Sequence, residues 1–300
     1  MPALIECVPN ISEGRRLDVV NQIVEAVKAT PGLKWLDQTS DPDHNRSVLT
    51  FLGEPAVLKA ALDTLFTEVS KHIDLTTHQG GHPRMGAVDV VPFIPIADCT
   101  MADCVALAKD VAKLVAEKFN VPVVLYEEAA SAPHRKNLAD VRKGQFEGLQ
   151  DKLAKPEWAP DFGNNYPHPH LGATAIGARE ALIAYNVYLH TSDLKIANEI
   201  AKAVRGSSGG MAYVKGMGLY TEERNQVQVS MNLVNYKKNP IYRVFELIKI
   251  EAARWGVQVA GSEIVGLVPQ DALLETAAYY LQVEGYNPAM VLENKIRTTA

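Results

Sequence analysis

The chain has 300 residues, enough for one large or two medium domains, each with its own core. Apolar residues make up 47% and charged residues 22%, the proportions of an ordinary globular protein. A net charge of −5 argues against nonspecific affinity for nucleic acid or an anionic membrane, and no apolar run approaches a membrane span.

Element by element, Leu4 to Val8 reads as a short strand, followed by a turn through Pro9-Asn10 and Glu13-Gly14. Leu17, Val20, Ile23, Val24 and Val27 recur at helical spacing, and Pro31-Gly32 stops that helix. Leu33 to Leu36 and Val48 to Leu52 are strand candidates on either side of a polar loop, Thr39 to Ser47. A helix from about Ala56 to His72 leads into the loop His78-Gln79-Gly80-Gly81-His82-Pro83-Arg84-Met85-Gly86, and then the strand Val88 to Ile96. The order is βαββαβ, extended by a helix (Asp103 to Phe119) and a strand (Val121 to Tyr126).

The second half repeats the order. Ala181 to Leu189 is a strand, and Asp193 to Arg205 a helix capped by Thr191 or Ser192. Met211 to Tyr220 and Gln226 to Val234 are strands, the latter alternating with Val227, Val229, Met231 and Leu233 on one face. A helix from Ile241 to Trp255 and a short strand from Val257 to Ala260 complete it. The expected fold class is α+β: two ferredoxin-like subdomains, residues 1–178 and 179–300. Each is a mostly antiparallel sheet with helices on one face, and a ligand cleft is expected between them. Pro156 to Gly172, rich in Pro, Gly, Asn and His, looks like the boundary.

Three cysteines (Cys7, Cys99, Cys104) without a CxxC pair, and an amino terminus without a signal pattern, predict a cytoplasmic protein with reduced thiols. The loop from His78 to Gly86 concentrates two imidazoles, a guanidinium and three glycines between rigid elements, where binding groups tend to sit. A metal pair His78/His82, with His168 and His170 as further ligands, needs helical geometry that Gly80, Gly81 and Pro83 oppose, so no metal is expected. Gly206-Ser207-Ser208-Gly209-Gly210 matches G-x-S-x-G, but a helix precedes it and a strand follows. That is the reverse of a nucleophile elbow. Neither GxGxxG nor a Walker A sequence occurs. Asp41-Pro42-Asp43-His44-Asn45-Arg46 reads equally as a solvated turn or as a presentation of Arg46 to a carboxylate.

A series of segments in one order resembles the formiminotransferase family nearly end to end. It begins with Glu6-Cys7-Val8-Pro9-Asn10-Ile11-Ser12-Glu13-Gly14, Asn45-Arg46-Ser47, His82-Pro83-Arg84-Met85-Gly86-Ala87-Val88-Asp89-Val90 and Pro92-Phe93-Ile94-Pro95. It continues through Trp158-Ala159-Pro160-Asp161-Phe162-Gly163, Gly172-Ala173-Thr174, Gly177-Ala178-Arg179 and Leu182-Ile183-Ala184-Tyr185-Asn186. Gln228-Val229-Ser230-Met231-Asn232-Leu233 and Val265-Gly266-Leu267-Val268-Pro269 close it. The resemblance implies transfer of the formimino group of N-formimino-L-glutamate to N5 of tetrahydrofolate, a step of histidine breakdown. It also implies two ferredoxin-like subdomains with the site between them, and a homodimer. It places the catalytic histidine at His82. Folate contacts fall on Gly163, Asn164, Asn165, Tyr166, Pro167, His168, Pro169, His170, Leu171 and Gly172, and on Gly210, Met211 and Ala212. Tetrahydrofolate, polyglutamylated or not, is then a co-substrate, with no metal, nucleic-acid or membrane partner. Some relatives carry a cyclodeaminase domain, for which 300 residues leave no room.

A substrate with several carboxylates needs cations, and Arg84, Arg46 and Lys215 are the candidates, with Asn45 beside them. A carboxylate, Asp37 or Asp41, is expected near a cationic amidinium. Two rival readings are formyl transfer between 5-formyltetrahydrofolate and glutamate, and a non-catalytic folate-binding module.

Overall fold

The computed structural model describes residues 3–299, and side chains as far as residue 296. The chain divides into two compact units, residues 1–179 and 180–300.

The first unit is built on β1 (Leu4–Cys7), β2 (Asn10–Ile11), α1 (Leu17–Lys28), β3 (Lys34–Asp41), β4 (Arg46–Gly53), α2 (Pro55–His72) and β5 (Val88–Ala97). After β5 come α3 (Met101–Phe119), β6 (Val123–Glu127), two short helices α4 (Leu138–Arg142) and α5 (Leu149–Leu153), and β7 (Thr174–Ala178). β1 and β2 are one strand interrupted at Val8-Pro9, lying between β4 and β5 and antiparallel to both. With β3 outside β4, the four-strand order is that of a ferredoxin-like split βαβ unit. β7 and β6 extend it by parallel pairing on β5. The apolar stripes of α1, α2 and α3 pack on one face of the sheet with Ile5, Phe51 and Phe93. A smaller cluster, including Tyr126, Val141, Leu149 and Leu153, brings in the short helices α4 and α5.

Three local readings are corrected. The expected polar loop Thr39 to Ser47 is mostly strand: β3 continues to Asp41 and meets β4 through a tight turn, with Asp41 opposite Arg46. Pro9-Asn10 is not a plain turn, because Asn10 and Ile11 pair with β4 and β5. The segment 156–172 does not end the first unit, since the chain returns to place β7 between β5 and β6.

The second unit contains β8 (Ile183–Leu189), α6 (Leu194–Val204), β9 (Val214–Thr221), β10 (Gln226–Leu233), α7 (Ile241–Arg254) and β11 (Val259–Val265), followed by α8 (Gln270–Leu281) and α9 (Leu292–Thr299). Its strand order β11-β8-β10-β9 is fully antiparallel and ferredoxin-like. Val227, Val229, Met231 and Leu233 are buried, as their alternation requires. Asp193, not Thr191 or Ser192, caps α6, accepting from the Lys195 N–H at 2.8 Å. The turn 206–210 runs from helix to strand, with Ser208 accepting from Arg205 Nε at 2.7 Å, so it is no nucleophile elbow. Among the described residues no helix is long and apolar enough to cross a membrane.

Candidate active site

The strand register gathers the site. Ile11 of β2 stands opposite Ser47 on one side and Val88 on the other, so the neighbours Arg46 and Asp89 flank the end of that central strand. The β3–β4 turn and the α2–β5 loop fold over the same end. Ser12, His44, Asn45, Arg46, His78, His82, Arg84 and Asp89 then line one pocket of the first unit.

Most of these groups hold one another. Asn45, in a left-handed conformation (φ 49°), accepts from the Gly14 N–H at 2.9 Å and donates to the Gln79 carbonyl at 2.9 Å. Its amide is committed to bracing the two loops, a role different from the substrate contact expected of it. His78 Nε2 lies 2.9 Å from the Asn45 carbonyl, while Arg84 Nε donates to His78 Nδ1 at 3.1 Å. Nδ1 must therefore accept and Nε2 donate, which fixes a neutral tautomer. Burial and the Arg84 charge lower its pKa accordingly. With both nitrogens engaged, His78 has no lone pair for a metal. Among the described residues no group of three or more His, Cys, Asp or Glu could hold one.

Arg84 is buried and occupied. Its guanidinium is bidentate to Glu147, at 2.7 and 2.9 Å, and also reaches the His78 carbonyl at 3.3 Å. The fork assigned to a substrate carboxylate is thus filled by a carboxylate of the chain itself. Asp41 is likewise used, accepting from the Asp43 and His44 N–H groups at 2.9 Å and pairing with His44 Nδ1 at 2.7 Å. Asp37 sits four residues back along β3, about 13 Å at the usual strand rise, and does not line the pocket.

Sequence reading missed Asp89 and Arg142. Asp89 is 2% exposed, accepts from the Met85 N–H at 2.8 Å, and pairs with Arg142 of α4 at 2.5 Å. It ties the exit of the His82 loop to the sheet. The only signal was a lone acid within the apolar run Val88 to Ile96.

His82 and Arg46 each keep an unpartnered nitrogen. Arg46 Nε and His82 Nδ1 are buried without a hydrogen-bond partner. Burial, reinforced by Arg46 and Arg142, pushes the His82 pKa from 6.5 to about 3, with Asp89 opposing. Between those two values the unfolded chain takes up a proton that the folded chain refuses, so stability falls as the pH drops through that window. The urea midpoint of His82→Gln is therefore expected to fall less than that of the wild type between pH 7 and pH 5.

The glycines serve the scaffold. A Cβ on Gly80 would meet the His44 carbonyl oxygen at 2.2 Å, and one on Gly86 the Ala173 oxygen at 2.1 Å. They let backbones approach each other. Gly80→Ala should cost about 1–3 kcal/mol by overpacking, read from the urea midpoint.

The folate-assigned segment closes in a small turn. His168 and Gly172 exchange two backbone hydrogen bonds at 2.9 Å, and His168 Nδ1 accepts from the N–H groups of His170 and Leu171. His168, His170 and Leu171 line a groove with His72 and Asp74. Gly210, Met211, Ala212 and Lys215 belong to the second unit, at the start of β9.

Residues 4–179 match the family described as the formiminotransferase domain, N-terminal subdomain, and residues 184–299 match the formiminotransferase domain. The chain belongs to the formiminotransferase family. It is 48% identical over 297 residues to the glutamate formimidoyltransferase of Streptococcus pyogenes serotype M1, covering 99% of each. The glutamate formimidoyltransferase of Thermoplasma acidophilum is 46% identical, again over 99% of each chain. The mouse formimidoyltransferase-cyclodeaminase is 44% identical over 95% of this chain but only 53% of its own length. The formiminotransferase match thus corresponds to about half of the fused relative.

Proposed function

We propose that this chain transfers the formimino group of N-formimino-L-glutamate to N5 of tetrahydrofolate, giving 5-formiminotetrahydrofolate and L-glutamate. Two relatives similar along nearly the whole chain carry the name of that activity. The observation that carries the reading is His82, unpartnered at Nδ1 and lining the same pocket as Arg46, whose buried Nε is unpartnered too.

The reaction needs a proton carrier. Attack of N5 on the amidine carbon forms a carbon–nitrogen bond and leaves a proton to remove from N5. Collapse breaks the bond to the glutamate nitrogen, which takes a proton as it departs. An imidazole that is neutral in the resting site can accept the first and return it to the second, so the net proton count is unchanged. Arg46 supplies positive charge for a donor carboxylate. The segment Gly163 to Gly172, the turn Gly210 to Ala212 and Lys215 are proposed to contact folate.

Purified protein mixed with tetrahydrofolate and formiminoglutamate should produce 5-formiminotetrahydrofolate. A parallel reaction with 5-formyltetrahydrofolate and glutamate should be slower. Binding of folate with turnover of neither donor would leave only a folate-binding module. A homodimer in a reducing cytoplasm belongs to the same proposal; among the described residues the three cysteines form no disulfide.

A further inference from the structure

Of the three arginines around the pocket, one lacks a direct ion pair. Arg84 faces Glu147, and Arg142 faces Asp89, in ion pairs of 2.7 and 2.5 Å. Arg46 makes no such pair among the described residues, and its buried Nε donates to nothing. Burial and the nearby Arg142 even push its pKa down to about 10, against the pull of Asp89 and Asp41. A guanidinium held this way is costly unless an anion joins it. The planar fork of Arg46 suits a carboxylate.

The same cation acts on His82. Among the described residues the charged and titratable groups around His82 come from several elements, with Asp41 of β3 behind His44 at 2.7 Å. Arg46 comes from β4, Asp89 from β5, and Arg142 from α4. The His44 ring lies edge-on at 5.9 Å from the β3–β4 turn, and His78 and Arg84 line the same pocket from the imidazole's own loop. Of these, Arg46 is the one whose charge a ligand can cancel without breaking an existing ion pair. Burial is the larger cause that disfavours protonation of His82, and the Arg46 charge is the one an anion can offset.

We propose that one carboxylate of the acyl donor binds Arg46 rather than Arg84, and that its arrival makes His82 basic enough to take the proton from N5. The inference rests on the formimino-transfer reading for the identity of the donor. The coupling between anion and imidazole is nevertheless measurable without turnover. Its consequence is an ordered activation. Before the donor is seated His82 is a weak base, and tetrahydrofolate alone meets an idle site.

The test is an NMR titration of the His82 ring in the full chain, with and without glutarate, a dicarboxylate that has no transferable group. Glutaramide is the uncharged control. Without ligand His82 should stay neutral to below pH 5; saturating glutarate should raise its midpoint by at least about one unit, a tenfold gain in proton affinity. Glutaramide should do nothing. Arg46→Gln should raise the ligand-free midpoint by itself, weaken glutarate at least about tenfold, and abolish the glutarate-dependent shift. Glu147→Gln, which frees the fork of Arg84, should leave the glutarate Kd within about twofold, because the stronger charge-assisted contact is elsewhere.

Three results would overturn the proposal. Glutarate could fail to bind, or bind without moving His82. The shift could survive in Arg46→Gln. Or Glu147→Gln could tighten glutarate several-fold, which would return the anchor to Arg84. Any of these results with wild-type formimino turnover intact would sink this proposal and leave the reaction standing. Absence of turnover with the shift intact would sink the reaction and spare the anion site.

Discussion

Replacing His82 with alanine is expected to lower kcat by about 10²–10⁴-fold at saturating formiminoglutamate and tetrahydrofolate, the usual contribution of a positioned general acid–base. The effect should fall on kcat and leave both KM values within a few-fold, because the ring is placed to carry a proton and not to hold charge. Stability should change little, since His82 Nδ1 has no partner to lose and the ring is only half buried. The fold can be checked by an unchanged thermal midpoint at pH 7. Turnover near the wild-type level in a folded His82→Ala protein would remove His82 from the mechanism, whatever the fate of Arg46. His78→Ala offers a contrast. Its imidazole is fixed between Arg84 and the Asn45 carbonyl, so its loss should loosen the loop and raise KM before it touches the proton transfer.

The fold was legible where burial is one-sided. The helices α1 and α2 and the strand β10 each show a clean apolar stripe facing one core. β3 was read as loop beyond Leu36 because it pairs on only one side, with β4, and its exposed positions carry polar residues that hide the strand period. β7 escaped notice for the opposite reason. Thr174 to Ala178 is buried throughout and built of small residues, and a Cβ on Gly177 would strike Tyr126, so close packing replaces the alternation.

Within the site, His82 was singled out by its setting and by resemblance, but the division of labour among the arginines was not. Arg46 and Arg84 look alike in sequence. They differ only through Glu147, which lies 63 residues from Arg84 along the chain. Arg142 gave no signal at all, lying in the charged stretch Asp140 to Lys143 with no motif around it. Ion pairs between distant segments are set by tertiary packing, and one sequence shows only their halves.

Asp89→Ala should be the most destabilising single change near the site. The carboxylate is 2% exposed, and it satisfies both the Met85 N–H and the Arg142 guanidinium. Removing it leaves a nearly buried cation without its counter-charge and a buried N–H without an acceptor. Breaking such a pair from one side costs about 3–5 kcal/mol. The urea midpoint should fall accordingly, with the slope unchanged if the unfolded state is unaltered. Asp89→Asn keeps an acceptor for Met85 and should cost less, yet it removes the anion that opposes Arg46 and Arg142 at His82. In that variant the ligand-free His82 midpoint should lie below the wild type's, so the acid limb of the rate profile should move to lower pH while the plateau falls, because the ring is a weaker base. The double variant Asp89→Asn with Arg142→Gln separates the two roles. Restored stability together with a restored His82 midpoint would show that the pair acts on the imidazole through its charges. Restored stability with the midpoint still low would mean that Asp89 acts on His82 by placing the loop at Met85, and that Arg142 only balances it.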